Sequence, residues 1–211
     1  MTPSPHSPEP LEERNRLPIL FGMTSLFSDM TYELAHVLLP GLMLHFGGSA
    51  FQTALMESLA EGTKMGGFWS SGIHGSDPDK QARLVTGGYA LTALATISMG
   101  FAGTAGMLVA LKSLSWFGKG LRGPSRDALL SNALAATDLP KAFRTVRALD
   151  QVGGLLGPLM ALALSGLLTP GEILVLSGFP GFLCVLFATR ATRAAIRLRR
   201  SDDTRSSGPP P

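Results

Sequence analysis

The chain has 211 residues and a formal net charge of +3, and 45% of its residues are hydrophobic against only 16% charged. So high an apolar fraction excludes an intrinsically disordered chain. A single cysteine, Cys184, excludes a secreted scaffold held by disulfides. Charged residues make up about 25% of an average soluble protein, so a soluble domain of this composition would lack charge for its surface.

In chain order, the sequence divides into a Pro-rich tail over 1–16, a domain over 17–195 and a basic, polar tail over 196–211. We expect the first tail to be flexible. A helix needs about 20 residues to cross a bilayer core, and the domain offers six apolar segments of suitable length. The predicted spans are Leu17–Phe46, Ala50–His74, Pro78–Ala102, a segment that starts after Thr104 and runs to Leu121 with a polar helical extension over 124–134, Lys141–Leu168, and Pro170–Ala191.

Local signals predict where these helices begin and where they bend. Ser49–Gln52 and Thr169–Glu172 have the spacing of a capping box. Asp77 precedes a proline at the first helical position, which is typical of an N-cap. Pro40 and Pro158 fall inside predicted helices, where a proline removes a hydrogen bond of the ladder.

The basic residues predict the orientation in a membrane. With the N-terminus inside, all but two of the 18 Lys and Arg residues fall in inside segments, and Lys64 and Lys112 lie within spans. Such asymmetry is the positive-inside pattern. It predicts a multi-pass protein of the cell (inner) membrane with both termini cytoplasmic. The bases therefore indicate a lipid bilayer as partner, and we expect no nucleic acid.

Charged residues inside the spans are the candidate substrate or proton pathway. Insertion of a charged side chain at the bilayer centre costs about 2.5–3.5 kcal/mol on insertion scales. Charged residues inside the spans are therefore candidates for a functional role. The alternative is a set of fixed ion pairs that hold the helices in register, with either glutamate of the second span bound to Lys64 or to the lysine of the fourth. A polar cavity between the first, second and fourth spans would accommodate all of them. The candidates are Asp29, Glu33, Glu57, Glu61 and Lys112.

Small residues in the fifth span indicate a hinge or a close helix contact. Gly153 and Gly157 are four residues apart, which lets two helices approach closely, and Pro158 follows the second of them. No metal-ligand cluster, phosphate-binding loop or catalytic motif is present in the sequence. We therefore expect neither an enzyme nor a cofactor.

Four stretches carry a family likeness. They are LFSDMTYEL (Leu26–Leu34), FGKGLRGPSRDALL (Phe117–Leu130), RALDQVGGLLGP (Arg147–Pro158) and the acidic pattern Glu57–Glu61. Over about 17–195 the chain resembles the N-terminal six-helix half of a major facilitator superfamily (MFS) transporter. The resemblance implies an all-α membrane protein with six transmembrane helices in a 3+3 inverted-repeat bundle. It also implies transport of a small-molecule substrate by alternating access, as in a permease or a proton-coupled efflux transporter.

The resemblance further implies a set of inner-gate ion pairs between the fourth and fifth helices. These residues are Lys119, Arg122, Arg126, Asp127, Arg147 and Asp150. In members of the superfamily, a sequence motif that begins with glycine follows the second helix. Gly72 stands at that position, and the resemblance makes it a hinge or packing position. The rest of that motif departs from the family pattern Gly-x-Leu-x-Asp-Arg-x-Gly-Arg-Arg, because Ser76, Asp77 and Asp79 stand at the Asp, Arg and Gly positions.

Transporters of this superfamily have twelve helices in two halves, which takes about 360 residues or more. We therefore expect the transport pathway to need a second copy of this chain or a separate C-terminal half. A truncated or non-transporting MFS-derived membrane protein with a scaffold or regulatory role is the alternative.

Overall fold

The computed structural model describes residues 9–73 and 77–206, and within these ranges the regular structure is entirely α-helical. This confirms the all-α fold class. The helices are α1 (Glu9–His45), α2 (Ala50–Ile73), α3 (Pro78–Met99), α4 (Ala105–Ala133), α5 (Leu139–Leu164), α6 (Pro170–Leu176) and α7 (Gly178–Ser206). Only Ser177 separates α6 from α7, so the two form one interrupted sixth helix.

The predicted caps form at three helix starts. Ser49 N–H donates to Gln52 Oε1 over 2.8 Å, and Gln52 N–H donates back to Ser49 Oγ over 3.3 Å. Thr169 and Glu172 form the second capping box, and the Asp77 side chain accepts from the N–H of Asp79. These signals are local in the chain, which is why the sequence predicted them correctly.

Several predicted boundaries are wrong. Helix α1 begins at Glu9, inside the segment expected to be a flexible tail, because Glu12 pairs with Arg16 one turn later and acidic residues favour a helix N-terminus. Helix α7 extends through most of the expected C-terminal tail. The helical extension predicted over 124–134 is confirmed, because α4 continues through Pro124 to Ala133. Residues 1–8, the loop residues 74–76 and 207–211 lie outside the described residues, and Ser76 falls among them.

Hydropathy supports fewer membrane spans than the six predicted. Among the described helices, the stretch Pro170–Asp202 is long and apolar enough to cross a membrane, judged by length and composition alone. Helices α1 to α5 each have at least 22 residues. Composition rather than length therefore separates them from that stretch.

Helix α1 runs parallel to α5, and α2 runs parallel to α4, whereas α3 runs antiparallel to α4 and α7, and α1 runs antiparallel to α7. Helix α1 packs on α5 and α7, α2 packs on α4, and α3 packs on α4 and α7. At one end, ion pairs join the start of α1 to the end of α7 through Glu13–Arg197 at 3.2 Å and Arg14–Asp202. Arg200 of α7 also binds Asp79 of α3 at 3.1 Å. We call this end of the bundle the basic end.

A buried polar layer lies between two apolar clusters. The cluster toward the basic end includes Phe21, Tyr89 and Leu130, and the opposite cluster includes Met43 and Ile173. Along α1, α3 and α4 the buried side chains change from apolar to polar and back again. The polar layer consists of Thr24, Ser25, Ser28, Asp29, Thr31, Thr92, Thr96, Lys112, Ser115, Arg122 and Ser125.

Glycines set the spacing between α1 and α5. A methyl group at Gly157 would lie 2.8 Å from the Met30 carbonyl oxygen, and one at Gly153 would overlap the Leu26 carbonyl. Gly72 is different, because a methyl group there would meet no atom within 4 Å, so its expected role in close packing is wrong. Pro158 lies within a continuous α5, so the proline removes one ladder bond without ending the helix.

Candidate functional site

A cavity of about 350 Å³ opens between α1, α2, α4 and α5, with Tyr89 of α3 at its wall. We call it the charged cavity. Its bases are Lys64, Lys119, Arg122, Arg126 and Arg147. Its carboxylates are Asp29, Asp127 and Asp150. The structure therefore brings all six residues predicted for the inner gate to one cavity, together with Asp29 of the predicted pathway.

Each of the two arginines of α4 donates to a hydroxyl group of α1. Arg122 is only 5% exposed and donates to Ser28 Oγ. Its guanidinium carbon also lies 4.1 Å from the centre of the Tyr89 ring. Arg126 Nη1 donates to Ser25 Oγ over 2.8 Å. The hydroxyls of α1 thus position two cations of α4 across the helix contact.

Lys119 is also held by an aromatic ring. Its Nζ lies 3.7 Å from the centre of the Tyr32 ring and 4.9 Å from that of Trp116. Within the described part of the chain, no carboxylate oxygen lies within 4.0 Å of the Lys119 or Arg122 side-chain nitrogens. A cation over a ring keeps its full charge, so the positive charge on this face of α4 is not neutralised by direct pairing.

Asp29 is the most buried carboxylate of the charged cavity, at 7% exposure. It interacts electrostatically with Arg122 and Lys119 of α4 and with Asp150 of α5. Asp29 therefore couples α1 electrostatically to α4 and α5.

The expected ion pairs between the fourth and fifth helices do not form. Arg126 Nε instead binds Asp127 Oδ1 at 2.9 Å within α4, and Arg147 binds Asp150 at 3.5 Å within α5. The reason is the packing: α4 contacts α2 and α3, whereas α5 contacts α1, so the two helices face each other across the cavity. Each arginine then finds its nearest carboxylate on its own helix.

A second group of charges lies between α1, α2 and α4, and we call it the Lys112 cluster. Lys112 is 1% exposed, and its Nζ lies 3.3 Å from Glu57 Oε1 and 3.2 Å from His36 Nδ1. One turn along α2, Glu61 binds Lys64 and accepts from Trp116 Nε1 over 3.1 Å. Of the pairings left open by the sequence, the structure contains Glu57–Lys112 and Glu61–Lys64.

Glu33 interacts electrostatically with Lys112 of the Lys112 cluster and with Lys119 of the charged cavity. It is half-buried and, among the described residues, forms no ion pair within 4.0 Å. The candidate pathway residues therefore divide into Asp29 in the charged cavity, Glu57 in the Lys112 cluster, Glu61 beside Lys64 and an unpaired Glu33.

Sequence reasoning missed the aromatic part of the site. Trp116 contacts both groups of charges, because its ring centre lies 3.8 Å from Lys112 Nζ and 4.9 Å from Lys119 Nζ. Tyr32 packs edge-on against the same ring. A signal was present, because Trp116 is four residues after Lys112 and three before Lys119, spacings that share one helix face.

Comparison with known proteins gives a distant relation to transporters. No protein-family model matches the sequence. Over 144 residues the chain is 31% identical to uncharacterized proteins of Mycobacterium bovis and Mycobacterium tuberculosis, covering 68% of this chain and 35% of each relative. Over 169 residues it is 28% identical to an uncharacterized MFS-type transporter of Methanocaldococcus jannaschii, covering 79% of this chain and 42% of that protein. The match covers less than half the length of each relative. The similarity to an MFS-type transporter indicates a relation to that superfamily.

Proposed function

We propose that this chain forms one six-helix half of an MFS-like transporter that moves a small solute across the cell membrane by alternating access. In this proposal the bundle is a 3+3 inverted repeat that crosses the membrane six times, with the basic end in the cytoplasm. The observation that carries the proposal is the charged cavity, since it places ionisable side chains from four helices around an open volume.

The distribution of charge and apolar surface supports this function over a set of fixed ion pairs. Ionisable residues within a membrane are costly and face a bundle interior or a water-filled pathway. Here the outward faces of the flanking helices are apolar: Trp69 of α2 is 75% exposed and Leu162 of α5 is 72% exposed. Ion pairs that served only to hold helices in register would need no cavity between them.

A single bundle lines one side of such a pathway, so the proposal includes a facing bundle. Helices α2 and α5 flank the charged cavity and carry exposed apolar residues, including Leu59, Phe68, Leu155 and Leu159. Such a surface suits contact with a second six-helix bundle, which is either another copy of this chain or a C-terminal half.

Within this function Asp29 is the best-placed carrier of a coupling proton. It is buried in the cavity and lies within electrostatic range of two cations and one further carboxylate. Glu57 and Glu61 are each engaged by a lysine. A proton that binds Asp29 changes the charge that α4 experiences at the centre of the pathway.

The test uses thiol accessibility, which requires no knowledge of the substrate. Cys184 is the only cysteine, so Cys184→Ala provides a background in which Ser25→Cys or Gly123→Cys places one thiol in the cavity. A methyl group at Gly123 meets only the Phe68 ring, at 3.5 Å, so this site tolerates a side chain. Right-side-out and inside-out vesicles are then treated with a membrane-impermeant thiol reagent.

Alternating access predicts that a thiol in the cavity reacts in both kinds of vesicle. Phe101→Cys is the control, since Phe101 is 70% exposed in the turn that follows α3 at the end opposite the basic end, and we expect it to react in one kind only. Reaction of both cavity thiols from one side alone would contradict transport and favour the scaffold or regulatory role.

A further inference from the structure

We infer that the charged cavity binds a small oxyanion, a carboxylate or a phosphate, between Lys119 and Arg122 of α4. This inference rests on the proposed function and names the substrate class of the same site. It follows from the balance of charge around the cavity, from the way the two cations are held and from the position of Asp29.

The balance of charge is positive. Five bases and three carboxylates line the cavity. Arg126 and Arg147 are each paired with a carboxylate on their own helix, and Lys64 is paired with Glu61. Lys119 and Arg122 remain without a direct ion pair. Asp29 interacts electrostatically with both of them, and Glu33 interacts with Lys119. Low-dielectric walls around an excess of one sign raise the local concentration of the opposite ion.

The two remaining cations are held in a way that leaves them able to bind an anion. Lys119 lies over the Tyr32 ring and Arg122 lies over the Tyr89 ring. A ring face orients a cation without neutralising it. Residues three apart on a helix are neighbours on one face, so the ammonium and the guanidinium lie on the same side of α4. The planar fork of an arginine matches the two oxygens of a carboxylate or phosphate.

The charge of Asp29 determines in which direction a substitution should change the anion affinity of the cavity. The Asp29 carboxylate lines the same cavity and interacts electrostatically with the same two cations. An incoming anion therefore competes with Asp29. Removal of the Asp29 charge should strengthen anion binding, whereas removal of the Lys119 charge should weaken it. A cavity that binds cations requires the opposite effect of both changes.

The experiment measures binding by isothermal titration calorimetry on the purified full chain in detergent at constant ionic strength. The probes are sodium phosphate, sodium acetate and, as a cation, tetramethylammonium chloride. We expect phosphate or acetate to bind the wild type, and the stronger of the two identifies the preferred oxyanion. We expect no heat from tetramethylammonium.

Four variants test the site. Lys119→Gln should raise the dissociation constant by about tenfold or more, because charge-assisted hydrogen bonds are roughly twice as strong as neutral ones. Lys119→Arg should restore binding, and Asp29→Asn should lower the dissociation constant. Arg83→Gln is the matched control, since Arg83 is an exposed base of α3 outside the cavity, and it should leave binding unchanged. Low reactivity of buried Cys184 with a thiol reagent shows that each variant is folded.

Binding of tetramethylammonium without phosphate or acetate would overturn the inference. So would equal anion binding by the wild type, Lys119→Gln and Arg83→Gln. Failure of both anions to bind, combined with cavity thiols that react from both sides of the membrane, would refute the substrate class and leave transport standing. Anion binding at Lys119 with labelling from one side only would refute transport and leave the anion site standing.

Discussion

The contact between α1 and α5 provides a sharp test of the packing, because two nearby glycines of α5 have opposite surroundings. A methyl group at Gly157 would lie 2.8 Å from the Met30 carbonyl oxygen and 2.9 Å from the Leu34 nitrogen, whereas one at Gly154 would meet nothing within 4 Å. We expect Gly157→Ala to destabilise the bundle and Gly154→Ala to stabilise it.

The magnitude follows from the distances. To accept a methyl group at Gly157, the α1 backbone must retreat from 2.8 Å to the 3.4 Å at which ordinary contact begins. Overpacking of this kind costs about 1–3 kcal/mol, and the better helix propensity of alanine offsets about 0.8–1.0 kcal/mol of it. Gly154→Ala gains the propensity alone. The two variants should therefore differ by about 2 kcal/mol, which corresponds to about 4–8 °C in the unfolding midpoint for a chain of this length.

The assay is thermal unfolding in detergent, followed with a thiol-reactive fluorescent reagent that reports the exposure of Cys184. This cysteine is 2% exposed and is the only one in the chain, so unfolding gives a single signal. Midpoints that shift together, or a midpoint of Gly157→Ala at or above that of the wild type, would refute the close α1–α5 contact.

Three further outcomes are expected. Glu57→Gln should lower the unfolding midpoint more than Lys112→Met, because it leaves a buried ammonium without its carboxylate, at a cost of about 2 kcal/mol. Glu57 is about one-third exposed and stays hydrated when Lys112 is removed; equal shifts would contradict this. Thr169→Ala removes the cap of α6 and should cost about 1 kcal/mol in the same thermal assay. In vesicles, Asp29→Asn should abolish proton uptake driven by added phosphate, and unchanged uptake in both Asp29→Asn and Glu61→Gln would contradict proton coupling.

The helix starts were predictable because their signals lie within a few residues of each other. Thr169 and Glu172 form their capping box without help from the rest of the molecule. The interruption at Ser177 was not predictable in this way. Its hydroxyl donates to the Leu174 carbonyl over 2.6 Å in a fully buried position. That arrangement depends on the packing around α6, which no local pattern encodes.

The candidate site also has features that the sequence predicts and features that depend on packing between helices. Charged residues within apolar segments are rare, so Asp29, Glu57 and Lys112 were recognisable from the sequence. The choice between Glu57 and Glu61 as the partner of Lys112 depends on how α2 lies against α4, and only the structure supplies it. The aromatic support of Lys119 by Tyr32 also crosses between helices, so it was missed for the same reason.

The ion pairs of the basic end have a topological consequence. Glu13 and Arg14 of the first helix lie beside Arg197 and Asp202 of the last, so the polypeptide enters and leaves the bundle at the same end. Two such bundles can therefore be connected in tandem by a hydrophilic linker, and both copies then point in the same direction without an additional helix. Duplication of the bundle therefore yields two parallel repeats. In a designed head-to-tail fusion of two copies, both bundles would have the same orientation.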